Sequence, residues 1–370
     1  MNTTPLFPTI YPTEFRQLIR EKSANFVGRE FVFAAINNFF SRQNRGYFTI
    51  VGAPGSGKSA ILAKYVSENP QVIYYNAEVA GKNRAEEFLA IVCSELLRRI
   101  GNGNASEGSW FLSLLLQKIS DLLSPDERLI IAIDGLDRID ANHQPPGTNL
   151  FYLPRYLPDK VYFILTRRPF LREKSGLLIE APFQILDLSA YPEENRQDVR
   201  NYINKYLSTT PTPPFLRGVG GDLNINQQEF IEQLIAETDN NFMYLSQILP
   251  VIAEKLVAGS LGEELRNPVY LGEPGFLTPG LAAYYQNHWQ QMIGNSLDSI
   301  ELAVMKVLSQ QKHLISAELI AEMIDEDEYD VEEVLENWRE FLHQEIIRGE
   351  NCYSFYHPKF RDWLSQNTSP

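Results

Sequence analysis

Cysteine is almost missing from this chain: Cys93 and Cys352 are the two in 370 residues, too few and too far apart for a disulfide framework or a cysteine-ligated metal site. A reducing, cytoplasmic compartment is the expectation. Long apolar runs are missing too, since none approaches the roughly 20 residues that a membrane-spanning helix needs. Residues 1–11 are polar and proline-rich, without the charged, apolar and small-residue regions of an export signal. The sequence therefore predicts a soluble protein with no membrane partner. Positive charge is scarce in the second half. Residues 1–190 hold 21 Lys and Arg against 19 Asp and Glu, while 191–370 hold 12 against 28, so the net charge of −14 arises in the C-terminal half. Nonspecific DNA binding draws on several Lys or Arg contacts to phosphates, which makes that half a poor candidate for it. No internal repeat or low-complexity array is present.

At 370 residues and 44% hydrophobic content, the chain is long enough for two or three cores. Residues 13–22 and 29–40 have amphipathic helical spacing. An apolar strand at 47–51 runs through a glycine-rich stretch into a helix over 58–66. Further strands are predicted at 71–75, 129–134, 161–166 and 183–188, with helices at 85–100 and 111–123 between them. Continuous apolar strands separated by helices predict a parallel sheet covered on both faces. From Pro192 the pattern is helical, over 193–207, 226–238 and 242–257, with loops by composition at 208–222 and 259–280. The last module reads as helices at 296–309, 317–324 and 330–344, a hairpin at 346–355 and a closing helix from Pro358, the element order of a winged helix. The predicted fold is an α/β P-loop domain with a parallel sheet, followed by an all-helical domain and a winged-helix domain. Its expected divisions are 1–24 (tail and helix), 25–190 (α/β), 191–258 (helical), 259–294 (linker and connecting helix) and 295–370 (winged helix).

Gly52-Ala53-Pro54-Gly55-Ser56-Gly57-Lys58-Ser59 matches G-x-x-x-x-G-K-[ST]. Glycines let the backbone wrap closely around phosphates, and the helix that follows, through Ala60, adds the positive end of its dipole. Lys58 is placed to reach the β and γ phosphates and the Ser59 hydroxyl to ligate Mg²⁺. A chance glycine turn would not be expected between an apolar strand and a helix. The partner carboxylate for the metal is Asp134, at the end of LIIAID and followed by Gly135-Leu136-Asp137-Arg138. The strand VYFILT ends in Thr166-Arg167-Arg168, a polar residue and two cations placed to report the γ-phosphate. Arg168 is the preferred sensor, against the plainer reading of a solvated basic loop.

Phe26-Val27-Gly28-Arg29-Glu30, the P-loop, IAIDGLDR and LTRRP together resemble the signal-transduction ATPases with numerous domains (STAND), within the AAA+ branch. Asn240-Asn241-Phe242-Met243-Tyr244-Leu245 resembles that family's G-N-F-L-Y motif, and the segment YSFYHPKFR around His357 resembles its winged-helix signature. The resemblance spans about residues 24–366. It implies ATP or ADP and Mg²⁺ as ligands, with Val27, Gly28 and Arg29 lining the adenine side. It also implies that His357 contacts the β-phosphate of ADP and locks a closed state; a lone histidine is otherwise most simply a satisfied core residue. A nucleotide-dependent homo-oligomer and effector or sensor domains, fused or separate, are the implied partners.

Two departures bear on activity. Gly135 stands where many AAA+ enzymes carry the water-activating Glu, which leaves Asp137 as the remaining candidate base and predicts slow hydrolysis. Asn240 replaces the first Gly of G-N-F-L-Y. The leading expectation is an ATP/ADP-controlled switch. The alternatives are an origin-recognition-like AAA+ ATPase that reads duplex DNA through its winged helix, and a nucleotide-binding module without turnover. Against the DNA reading, the segment 330–345 carries Asp330, Glu332, Glu333, Glu336, Glu340 and Glu345 against Arg339 alone.

Overall fold

Strands made of Val, Ile, Leu, Phe, Tyr and Ala throughout can only be stable where both faces are covered, and the computed structural model places them so. It describes residues 11–101, 109–140, 143–170, 175–209, 227–238, 240–257, 279–294, 296–347 and 349–367. Two compact units divide the chain, one of Met1–Gly52 with Lys58–Glu194, the other of Ala53–Gly57 with Asn195–Pro370. Of the loops expected at 208–222 and 259–280, residues 210–222 and 259–278 lie outside the described residues, while 208–209 and 279–280 belong to helices instead.

The first unit runs α1 (Thr13–Ser23), α2 (Glu30–Arg42), β1 (Gly46–Val51), α3 (Lys58–Glu68), β2 (Ile73–Asn76), α4 (Ala85–Ile100), α5 (Ser109–Leu122), β3 (Leu129–Asp134), β4 (Val161–Arg167) and β5 (Phe183–Asp187). All five strands are parallel, in the order β2-β3-β4-β1-β5. Every residue of β1, β3 and β4 is buried, whereas Phe183, Gln184 and Ile185 of the edge strand β5 are exposed. Aromatic pairs fix the helices on the sheet. Phe15 of α1 meets Tyr74 and Tyr75 edge-on at 5.8 and 5.5 Å, and Phe88 of α4 stacks on Phe151 at 4.6 Å. Such pairs add about 0.5–1.5 kcal/mol each beyond area burial. Gly101, left-handed at φ 79, ends α4 by donating to the Leu97 and Arg98 carbonyls.

The second unit runs α6 (Pro192–Thr209), α7 (Gln227–Thr238), α8 (Phe242–Val257), α9 (Pro279–Ile293), α10 (Ser299–Gln310), β6 (Ile315–Ser316), α11 (Ala317–Ile324), α12 (Glu328–Asn337), β7 (Leu342–Ile347), β8 (Glu350–Phe355) and α13 (Pro358–Asn367). The three short strands form an antiparallel sheet in the order β6-β8-β7. A capping box, Asp298 with Glu301, starts α10. One expectation needs correction. The helix predicted over 330–344 stops at Asn337, a 3-10 turn covers Arg339–Phe341, and β7 begins at Leu342, four residues before the predicted hairpin. Trp338, Phe341 and Leu342 are buried together, and β7 gains its partners from β8, with Leu342 opposite Phe355. The acidic face of α12 is therefore shorter than predicted, and Glu345 belongs to the sheet.

Candidate functional site

The glycine-rich loop leaves β1 and enters α3 as expected, with Gly55 at φ 81 and Gly57 at φ 92, conformations that side chains resist. The Gly52 amide donates to the Arg167 carbonyl across 3.4 Å, tying the loop to the end of β4. Lys58 Nζ donates to the Gly52 carbonyl at 2.6 Å, so the ammonium lies folded against the loop. Burial lowers its pKa to about 8, while the charges of Asp137, Glu78 and Asp134 oppose that shift and Arg168 adds to it. Ser59 and Ala60 form the first turn of α3 with Lys58.

Asp134 ends β3 and is almost wholly buried. Its Oδ1 accepts from Ser59 Oγ at 3.1 Å and from Thr166 Oγ1 at 2.5 Å. Its Oδ2 accepts from Asn76 Nδ2 at 2.9 Å and from Tyr74 OH at 3.3 Å. Thr166 Oγ1 in turn accepts the Gly135 amide at 2.9 Å. Desolvation, and next the charge of Glu78, push the Asp134 carboxyl above the usual carboxylate range, and the hydroxyl donors only partly offset this. A buried carboxylate beside a serine hydroxyl, held by neutral donors, fits Mg²⁺, a hard cation that takes oxygen ligands, one or two of them carboxylates, with phosphates and water completing the set. No group of three His, Cys, Asp or Glu side chains able to hold a metal occurs among the described residues.

Asp137 follows one turn later. Its Oδ1 accepts the Arg168 backbone amide at 3.0 Å, and its Oδ2 lies 3.4 Å from Arg168 Nε and 3.6 Å from Arg138 Nε. Arg168 is thus held on the carboxylate of Asp137. Arg167 turns elsewhere, with its guanidinium 3.6 Å from the centroid of Phe170 and Nη1 donating to the Ser175 carbonyl at 2.9 Å. At the front of the unit, Gly28 and Arg29 both take left-handed backbone, φ 71 and 68, next to Val27, and the Arg29 carbonyl receives the first amides of α2. Phe31 stacks on Tyr191 at 4.6 Å beside them.

Within the second unit, Ala53–Gly57 meets the start of α8. Asn241 Nδ2 donates to the Pro54 carbonyl at 3.0 Å and the Met243 amide to the Gly55 carbonyl at 3.3 Å. The Asn241 side-chain oxygen, Oδ1, caps α8 by accepting the Tyr244 amide at 3.0 Å. Carbonyl and amide of one peptide point opposite ways, so anchoring the Pro54 carbonyl on Asn241 turns the Gly55 amide away from α8. Asn240, the residue standing for the motif glycine, takes φ 56. His357 is buried with its Nε2 3.1 Å from the Thr238 carbonyl, and its Nδ1 accepts the Lys359 amide at 3.2 Å. Those partners select the neutral tautomer protonated on Nε2. Tyr285 OH lies 3.4 Å from Nδ1. The Thr238 carbonyl also accepts the Asn241 amide at 2.8 Å, so one carbonyl joins His357 to the turn that grips Pro54.

The sequence reading missed Tyr74, Asn76 and Glu78, and it quoted Asn241 without assigning it this contact. A signal existed for Asn76: it is the polar residue closing an apolar strand, and in parallel register it stands opposite Asp134.

Residues 25–158 match the profile of the AAA ATPase domain family. No curated protein matches the chain. Among solved structures, the chain is similar to a STAND protein with a tetratricopeptide repeat sensor from Pyrococcus horikoshii, at 17% identity and a TM-score of 0.31, covering 99% of this chain. It spans 44% of that protein's length. It is also similar to a subunit of the Drosophila ORC bound to DNA, at 14% identity and a TM-score of 0.38, covering 95% of this chain and 98% of that one. A third likeness is to Cdc6p from Pyrobaculum aerophilum, at 12% identity and a TM-score of 0.36, covering 99% and 97%. Likenesses this distant say nothing of ligand or partner. The matched residues carry the P-loop and the strand that ends in Asp134, so this part of the first unit is similar to AAA ATPase domains. No helix among the described residues is long and apolar enough to cross a membrane.

Proposed function

We propose that the chain is an ATP/ADP-binding signalling switch of the cytoplasm with slow ATP hydrolysis. It is closed while ADP is clamped between the P-loop domain and the winged helix, and it opens to oligomerise with ATP. In this reading Gly52 through Ala60 hold the phosphates, Ser59 and Asp134 hold Mg²⁺, and Val27, Gly28 and Arg29 border the adenine. Thr166 and Arg168 border the γ-phosphate, with Arg168 as its sensor ahead of Arg167, whose guanidinium turns to Phe170 and Ser175. The 3-10 turn and small sheet after α12 are read as the end of the winged helix, and effector or sensor partners as separate or fused proteins.

The observation that carries the reading is the hydrogen-bonded path His357, Thr238, Asn241, Pro54, inside the second unit. A ligand moves a conformational equilibrium only through its different affinity for the two states. A phosphate that takes His357 Nε2 from the Thr238 carbonyl would alter the turn that anchors the P-loop, which supplies such a difference. Slow turnover is expected because Gly135 leaves no carboxylate directly after Asp134, so any base must reach in from another strand or turn. Duplex DNA is a poor partner, because α12 carries Glu328, Asp330, Glu332, Glu333 and Glu336 and no Lys or Arg. The test is His357→Ala, with retained ADP and mass in solution read together. The account expects ADP to dissociate at least ten times faster and the protein to shift towards larger assemblies with ATP. Unchanged ADP retention and unchanged mass would remove the switch reading.

A further inference from the structure

Gly135 leaves a space that another carboxylate occupies. A Cβ built on Gly135 would lie 2.8 Å from Glu78 Cγ and 3.6 Å from its carboxyl carbon, so the arm of Glu78 fills the volume where a side chain at 135 would begin. Gly135 itself is left-handed at φ 73, a conformation that disfavours a bulky residue there. Glu78 is set in this position by Asn76. The Asn76 Oδ1 accepts the Glu78 amide at 2.7 Å, while its Nδ2 holds Asp134 at 2.9 Å. One amide side chain therefore joins Glu78 to the metal-side carboxylate. The charge of Glu78 is felt at both Asp134 and Lys58.

The two acids near the site differ in what they are free to do. Asp137 is 12% exposed and commits both oxygens to Arg168 and Arg138. Glu78 is 44% exposed, with Arg138 Nε 3.6 Å from its Oε1, and so remains open to water. A general base must reach a water molecule; Glu78 meets that requirement and Asp137 does not.

We propose that Glu78, reaching in from the end of β2, is the general base for ATP hydrolysis, in the place that Gly135 leaves without a side chain. This rests on the ATPase reading above. In the step, the oxygen of a water molecule forms a bond to the γ-phosphorus as Glu78 takes one of the water's protons. The bond from that phosphorus to the β–γ bridging oxygen breaks, its electron pair leaves on ADP, and the proton then passes from Glu78 to solvent.

The experiment compares wild type, Glu78→Gln and Gly135→Ala by phosphate release from MgATP and by ADP affinity. Glu78→Gln should lower turnover by about a hundredfold, the lower end for losing a general base, with ADP affinity within about threefold of wild type. Gly135→Ala removes no functional group but displaces the Glu78 arm, and should lower turnover at least tenfold. Turnover of Glu78→Gln within twofold of wild type, or loss of its ADP affinity, would overturn the assignment while leaving the switch intact. A wild type that retains ADP but releases no phosphate would remove this role and keep the nucleotide-binding reading; one that binds neither nucleotide would remove both.

Discussion

Asp134 in the first unit and His357 in the second are each 1% exposed, yet their surroundings leave them in opposite conditions. Asp134 collects neutral donors from Ser59, Thr166, Asn76 and Tyr74, and still its carboxyl is pushed upward, because hydroxyls and an amide do not replace the water it gave up. His357 has an acceptor for Nε2–H and a donor for Nδ1, so a neutral ring needs nothing more. The contrast teaches where ligand binding is built into the structure. A cation beside Asp134 would settle an unfavourable charge, whereas a ligand at His357 must first displace a hydrogen bond that is already made.

The comparison can be broken most strongly at Gly55. A Cβ there would fall on the Asn241 amide, and the left-handed backbone adds strain. Gly55→Ala is expected to weaken MgADP binding by more than about tenfold, on the scale of the 1–3 kcal/mol that such strain costs; calorimetric titration measures it. Affinity equal to wild type would show that the grip on the loop does not shape the phosphate site.

A smaller effect sharpens the same point. Asn241→Ala loses both the α8 cap and the Pro54 anchor, and should lower thermal stability by about 1 kcal/mol together with ADP affinity. Asn241→Ser keeps an oxygen for the cap, adds no charge and is too short to reach Pro54. It should hold stability near wild type and still weaken ADP several-fold. If both variants change stability and affinity in step, the anchor has no role apart from folding.

Much of the site was legible because its signals are local. A strand, a glycine loop and a helix lie within about 20 consecutive residues, and Asp134 closes an unbroken apolar run, so motif and periodicity agree on both. The overrun of the helix after Asp330 has the opposite cause. Trp338, Phe341 and Leu342 are spaced as one helical face, and only pairing with β8, remote in sequence, draws Leu342 into a strand. Glu78 was illegible for a similar reason. Its nearness to Gly135 depends on β2 lying beside β3 in a register that sets Asn76 against Asp134, which no short window contains. The Pro54 anchor likewise joins residues 187 positions apart.

The claim on which the rest depends is that the loop around Lys58 and the carboxylate of Asp134 hold a nucleotide with its metal. Denaturing the purified wild-type protein and identifying the nucleotide it releases tests this most directly, with Lys58→Ala as the comparison. The account predicts ADP at close to one molecule per wild-type chain and almost none from Lys58→Ala. A wild-type protein that releases no nucleotide, and that binds added MgADP no better than Lys58→Ala, would contradict it.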